Sequence, residues 1–318
     1  MNITVILCTY NRCERLATAL NSVAASSLPP SVKWEVLVVN NNSSDRTREV
    51  VEDFTRRYPG RFRYLLERQQ GLSYARNAGI REAHGDILAF MDDDVTVELS
   101  WLRNLAMPLQ DSQWSGSGGR TLLDQSFSPP RWLALEGPHS LAGALAEFDL
   151  GPEASELTES PYGANMAFRK AVFEECGYFR TDLGRCGNNL IGGEDTEFGR
   201  RLIEAGKRLR YEPSAVVYHP VPEERLKKEY FLAWRFNYGR TEIRRLGERR
   251  RRWEILRAAK RMFQAIVRSV RGPSPEIRFF CKCYTWEMAG RIVEICRQAC
   301  DVVSHGKNIA QETRKEFS

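Results

Sequence analysis

The chain has 318 residues, 42% of them hydrophobic and 28% charged, enough for one large domain or two modest ones and unlike a collagen-like, disordered or disulfide-scaffold protein. No apolar run reaches the roughly 18 residues of a conventional transmembrane helix. The net charge of +6 is unevenly divided: residues 223–278 hold 17 Lys/Arg against 7 Asp/Glu, a net +10, so the remainder carries −4, and a basic C-terminal portion favours an anionic partner.

Residues 2–10 form a β-branched, apolar run that reads as a first strand rather than a secretion signal. Residues 14–25 repeat apolar side chains at Leu16, Leu20 and Val23 and predict a helix stopped by Pro29-Pro30. A second strand is expected over 34–39, then a helix over 46–58 capped by Ser44 or Asp45. A third strand follows over 62–67, a helix over 72–83 and a fourth strand over 87–91. Strand alternating with helix at this pace predicts a wound α/β sheet with parallel strands, whose ligands sit at the carboxyl ends of the strands. Those ends carry Thr9-Tyr10-Asn11-Arg12, Asn40-Asn41-Asn42-Ser43 and Asp92-Asp93-Asp94. From about residue 111 the pattern loosens: the glycines of 115–119 read as a turn and 126–160 as loop-rich, of lid or binding-loop character. Helices are expected over 170–176 and 197–205, a short strand over 216–219, and long basic helices after Pro222 divided at Gly272-Pro273. The eight cysteines show no C-x-x-C pair and only four scattered histidines accompany them, so they read as reduced thiols rather than a zinc site.

Three adjacent carboxylates at the end of a buried strand repel one another unless a cation neutralises them. Alternate residues of an extended segment point the same way, so Asp92 and Asp94 can face one site, and oxygen ligands suit Mg²⁺ or Mn²⁺ with phosphate oxygens. An acidic loop capping the next helix is the alternative. No P-loop occurs; phosphate charge can be met by the metal and by Arg76. Glu194-Asp195, after Gly192-Gly193, offers either a helix cap or a general base.

In order, the segments at 5–12, 38–45, 71–79, 91–94 and 193–195 resemble family 2 glycosyltransferases over residues 1–222. The resemblance implies a GT-A-type wound, mostly parallel sheet flanked by helices. It also implies a nucleotide-sugar donor (UDP first, GDP or dTDP behind), a divalent metal and inverting transfer to a hydroxyl of a glycan or lipid-linked acceptor. Thr9, Tyr10 and Arg12 would border the nucleotide and Asn41 would face the base, where relatives often carry aspartate. Asp92 and Asp93 would lie at the ribose or sugar, and Asp94 and Asp92 at the metal. Asp195 would be the base with Glu194 beside it, and Gly163 and Asn165 would line the acceptor side. His219 would add a metal ligand or be structural. Residues 1–110 would form the nucleotide-sugar half, 111–222 the acceptor half and 223–318 a basic helical extension.

In that extension, the basic residues between Arg244 and Arg271 interleave with apolar ones at helical spacing. They read either as a helix packed on the catalytic domain or as one lying on anionic lipid. The protein is then cytoplasmic, peripheral on the inner face of the cell membrane in the second case. No nucleic-acid module is recognisable. A catalytically silent sugar-nucleotide scaffold, or a basic membrane- or nucleic-acid-binding protein, is the rival reading.

Overall fold

The structure, a computed structural model, describes residues 1–124, 127–187, 189–246 and 251–316, with the backbone alone for 251–253 and 301–316. The chain divides into two compact units, Met1–Ser128 with Ala142–Leu226, and Pro129–Leu141 with Lys227–Ser318.

The first unit opens with β1 (Asn2–Thr9), α1 (Cys13–Ala24), β2 (Lys33–Asn40), α2 (Thr47–Arg57), β3 (Phe62–Leu66), α3 (Leu72–Glu82) and β4 (Ile87–Asp92). All match the expected elements to within a residue or two at each end. Then come β5 (Thr96–Val97), α4 (Trp101–Ala106), β6 (Gly116–Leu123), β7 (Ser155–Glu156), β8 (Met166–Arg169), α5 (Ala171–Cys176), α6 (Glu194–Glu204) and β9 (Leu209–His219). One sheet runs in the order β3-β2-β1-β4-β8-β6-β9-β5, with β7 beside β9. β1 pairs in parallel with β2 and β4, and β2 with β3, whereas β8 is antiparallel to both its neighbours. The sheet is buried on two sides. Val5 and Leu7 of β1 pack with Leu16, Leu20 and Trp101 on one face. Ile6 packs with Phe90, Phe168 and Phe198 on the other, as alternation along a strand requires.

The chain moves outward from β1 through β2 to β3, then returns to the other side of β1 as β4. That reversal is a topological switch point, where the loops leaving adjacent strands part and leave room for a ligand. The strands in register there end at Thr9, Asn40 and Asp92.

Two expectations are corrected. The glycine cluster is not a turn but part of β6, inside the sheet. A Cβ on Gly116 would strike Phe168, on Gly118 Pro161, and on Gly119 the Ala215 carbonyl. The glycines are there because neighbouring side chains and backbone fill the space. The short strand at 216–219 is the end of β9, which pairs with β6 through a register shift between Gly119 and Arg120.

The second unit contains α7 (Lys228–Arg245), α8 (Arg251–Arg271) and α9 (Pro275–Glu316). α7 and α9 approach so closely that a Cβ on Gly239 would meet the Glu287 carbonyl, and one on Gly290 the Phe236 carbonyl. Inside this pair the buried Glu294 accepts from Arg240, Arg244 and Arg297. Burial would raise its carboxyl, but those hydrogen bonds outweigh it and hold the pKa at about 2. Much of the basic charge of α7 therefore faces inward: Arg244 is bound to Glu294 and Arg245 to Glu242.

Candidate active site

The loop leaving β1 is shaped by Asn11, whose φ is +50°. Its N–H donates to Ser43 Oγ and its Oδ1 accepts from Ser44 N–H, which ties the first and second strand ends together. Asp45 Oδ1 accepts the N–H of Thr47 at the start of α2, the capping role expected of it.

β4 ends at Asp92 and the chain turns at Asp93 and Asp94, so the turn rather than strand alternation sets where their carboxylates point. Asp93 accepts from Thr9 Oγ1 (2.7 Å) and Arg12 Nη1 (3.0 Å). Asp92 and Asp94 approach His219 at the end of β9, and one ligand atom from each of the three lies within 4.8 Å of the others. Arg12 Nη1 also donates to Asp94 Oδ2 (2.9 Å), and Arg225 Nη2 lies 3.6 Å from that oxygen. Burial pushes Asp93 up to about 6, against the pull of Arg12 and Thr9 and with Asp94 adding to it. Burial opposes ionisation of Asp94 too, but its carboxyl lies below the usual range, with Arg12, Arg225 and Arg15 drawing it down.

The triplet is thus neutralised in part by the protein's own arginines, and its charge does not by itself demand a metal. The donor arrangement is the stronger indication. His219 Nδ1 lies 2.9 Å from the Pro220 carbonyl, which can only accept, so the proton is assigned to Nδ1. Nε2 is then a bare lone pair. It accepts from Arg225 Nη1 (3.2 Å) and stands 3.7 Å from Asp94 Oδ1, a second acceptor. Burial holds the ring neutral, with Arg225 assisting. Two carboxylates and an imidazole lone pair converge there with no proton between Asp94 and His219, and this set fits a divalent metal ion.

On the same side α6 begins at Glu194, entered through Gly193 in the left-handed region (φ +80°). Arg76 on α3 is almost fully buried and joins this second acidic pair to the first. Its Nη1 donates to Glu194 Oε1 (2.5 Å) and its Nη2 to Asp92 Oδ1 (3.4 Å). A Cβ on Gly163 would collide with the guanidinium, so glycine there gives Arg76 its room. Asp195 is half-buried, its Oδ2 accepting from Gly163 N–H (2.7 Å) and its Oδ1 from Thr196 N–H (2.6 Å).

Burial, with the charge of Asp195 adding to it, raises Glu194 to about 7 despite Arg76. A carboxyl whose folded pKa lies above its ordinary 4.5 is protonated in the folded state while the unfolded chain has already released its proton. Stability therefore falls as pH rises from about 4.5 to 7, by about 3 kcal/mol for a shift of this size. Asp93 acts in the same sense only up to about pH 6. Glu194→Gln should flatten the slope of unfolding free energy against pH between about 6 and 7; an unchanged slope in urea titrations of the variant would show that Glu194 is not the titrating group.

Residues 4–177 match the glycosyl transferase family 2 model, and residues 153–286 match glycosyl transferase family group 2. The succinoglycan biosynthesis protein ExoM of Rhizobium meliloti is 30% identical over 280 residues, 86% of each chain. The chain belongs to glycosyl transferase family 2. This glycosyltransferase is also 26% identical to the glucosyl-dolichyl phosphate glucuronosyltransferase of Haloferax volcanii, over 73% of each chain. Its fold is similar to that of a mannosyltransferase from Pyrobaculum calidifontis solved with GDP-Man and Mn²⁺. The TM-score is 0.56 at 20% identity, covering 97% of this chain and 80% of that one. The sheet is of the GT-A type, mixed in direction at β8.

Of the residues singled out in this glycosyltransferase, Thr9, Arg12, Asp92, Asp93, Asp94 and His219 come together around one acidic centre. Arg76, Gly163, Glu194 and Asp195 form a second group joined to it through Asp92. Tyr10 is exposed at the first strand end. Two others have their amides engaged elsewhere. Asn41 donates to the Glu67 and Gln69 carbonyls and accepts from Gly71 N–H, so it holds the turn that starts α3. Asn165 accepts from Trp101 Nε1 and donates to the Arg120 and Ala215 carbonyls, pinning β6, β9 and α4 together. The sequence reading passed over Arg225. Its only signal is a basic residue six positions after His219, beyond Pro220 and Pro222, and spacing alone does not aim that residue at Asp94.

Proposed function

We propose that this glycosyltransferase moves a sugar from a nucleotide-diphosphate donor to an acceptor hydroxyl with inversion at the anomeric carbon. The observation that carries the reading is the Asp92–Asp94–His219 donor set linked through Arg76 to Glu194 and the neighbouring Asp195. The nucleotide would lie at the ends of β1 and β2 beside Thr9, Tyr10 and Arg12, with Asn41 shaping the base side through its turn. Residues 1–110 would serve the donor and 111–222 the acceptor.

Asp92, Asp94 and His219 would hold Mn²⁺ or Mg²⁺, which when bound supplies positive charge against the diphosphate. Asp195 takes the proton of the acceptor hydroxyl as that oxygen attacks the face of the sugar opposite the diphosphate. Its carboxylate is oriented for this by the Gly163 and Thr196 N–H groups. Glu194 is locked to Arg76 and less accessible, so of the two acids Asp195 is the base. Arg76, inside the protein with carboxylates on both sides, is a positioning residue.

UDP-sugars are favoured as donors. The GDP-Man and Mn²⁺ bound to the Pyrobaculum enzyme support the donor class and the metal rather than the base. ExoM and the Haloferax enzyme, named for a polysaccharide and a dolichyl phosphate sugar, support a glycan or lipid-linked acceptor, reached on the cytoplasmic side of the membrane. A panel of UDP-, GDP- and dTDP-sugars, with and without Mn²⁺, should contain a donor that raises the melting temperature only with the metal and is slowly hydrolysed. A panel in which nothing shifts would remove the reading.

Arg225 and a metal compete for the same lone pairs of Asp94 and His219. Arg225→Ala is therefore expected to tighten Mn²⁺ binding without donor by about 5- to 30-fold, one to two kcal/mol of relieved competition. Manganese electron paramagnetic resonance titration reads this directly; weaker binding in the variant would make Arg225 a support of the site instead.

A further inference from the structure

We propose that the outward face of α8 docks on an anionic lipid surface. This inference is independent of the transfer chemistry. The apolar positions of α8 form a broad arc that is covered along only one side. Ala258 and Ala265 are buried, with Ile255, Met262 and Ser269 partly covered along the same inward side of the helix, and α8 packs on α9. A second set lies outside: Leu256 is 68% exposed, Phe263 69% and Val270 75%, with Ile266 and Val267 also open to solvent. At 100° per residue these five positions fall within about a third of the helix circumference.

The cations occupy the adjoining arc. Arg257, Lys260, Arg261, Arg268 and Arg271 are all exposed, and apart from the Arg257–Glu254 contact none of them makes an ion pair among the described residues. Glu254, the one acidic residue in α8, is partly covered and lies near Arg291 of α9. Arg249 and Arg250, part of the basic run, lie outside the described residues, and Arg251 and Arg252 enter only through their helical backbone.

An apolar stripe beside a row of uncompensated cations is what a helix lying in a membrane interface presents. The apolar side chains enter the acyl boundary while Lys and Arg reach the headgroups. The charge selects among occupants. Two copies meeting through this face would bring two rows of cations together with nothing between them. A nucleic acid would answer the charge but leave Phe263 and Val270 without an apolar partner. Anionic lipid satisfies both halves. Among the described residues no helix is long and apolar enough to cross a membrane, so the contact would lie in the interface plane.

The test is flotation of the full chain with phosphatidylcholine vesicles, with and without phosphatidylglycerol, at low and high salt and with no donor present. Binding is expected only to the anionic vesicles and should weaken with salt. The variant Leu256→Ser/Phe263→Ser/Val270→Ser should lose more than about tenfold in partition. Arg261→Gln/Arg268→Gln/Arg271→Gln should lose about fivefold per charge. All these side chains are exposed, so the melting temperature should stay at the wild-type value, and a large drop in a variant is answered by the other variant. Failure to float with anionic vesicles, or flotation unaffected by both variants, overturns the proposal. So does a dimer abolished by the serine variant, or duplex DNA binding, in a protein that ignores vesicles. Donor binding in the nucleotide-sugar panel would survive any of these failures.

Discussion

Replacing Asp195 by Asn is expected to lower turnover about 10²- to 10⁴-fold, the usual contribution of a positioned proton acceptor, while donor affinity stays close to wild type. The reason lies in how the carboxylate is held. Gly163 and Thr196 each aim a backbone N–H at one of its oxygens, fixing the group while a carboxylate keeps lone pairs free for an acceptor hydroxyl. Asn has one oxygen, so it can accept from only one of these donors and turns its NH₂ toward the other. The expected cost in folding is about 1 kcal/mol, too small to explain the loss of turnover. A purely structural role would look different: KM and kcat would worsen together and only modestly. A variant retaining full turnover would remove Asp195 from the role of base.

The acidic centre at the strand ends was legible because its signals are local. An apolar strand followed by polar residues recurs at Thr9, Asn40 and Asp92, and the wound fold turns those positions into neighbours without further information. The acidic run at the end of β4 is visible in the sequence, but the turn at Asp93 and Asp94 decides where those two carboxylates point. What escaped depends on contacts between distant segments. Gly116, Gly118 and Gly119 look like turn residues until Phe168, Pro161 and Ala215 occupy the space their side chains would need. Asn165, expected to line the acceptor side, instead has its amide taken up by α4 and by the backbone of β6 and β9. Arg76, expected to meet phosphate charge, is instead bound to Glu194, 118 positions on, which nothing in the spacing of α3 announces. The same holds for α8, whose apolar residues show helical periodicity in sequence although only some of them face α9.

The Arg76–Glu194 pair should show the largest effect on folding. Arg76→Met removes the cation bound to the buried Glu194 carboxylate and is expected to cost about 3–5 kcal/mol in urea unfolding at pH 8. Glu194 already titrates near 7. Without the guanidinium its pKa rises further, so below neutral pH the residue is neutral and the deficit should shrink as the pH falls toward 5. Adding Glu194→Gln to Arg76→Met removes the stranded charge, and the double variant should recover much of the lost stability. Asp92, the other partner of Arg76, has a side chain about one-third exposed and can be solvated. Transfer should not recover with stability, because Arg76 also joins Asp92 to the acid pair at the start of α6, and neither Met nor Gln rebuilds that link. Additive losses in the double variant would mean that the two side chains act separately, and the two acidic groups of the site would have to be positioned by some other contact.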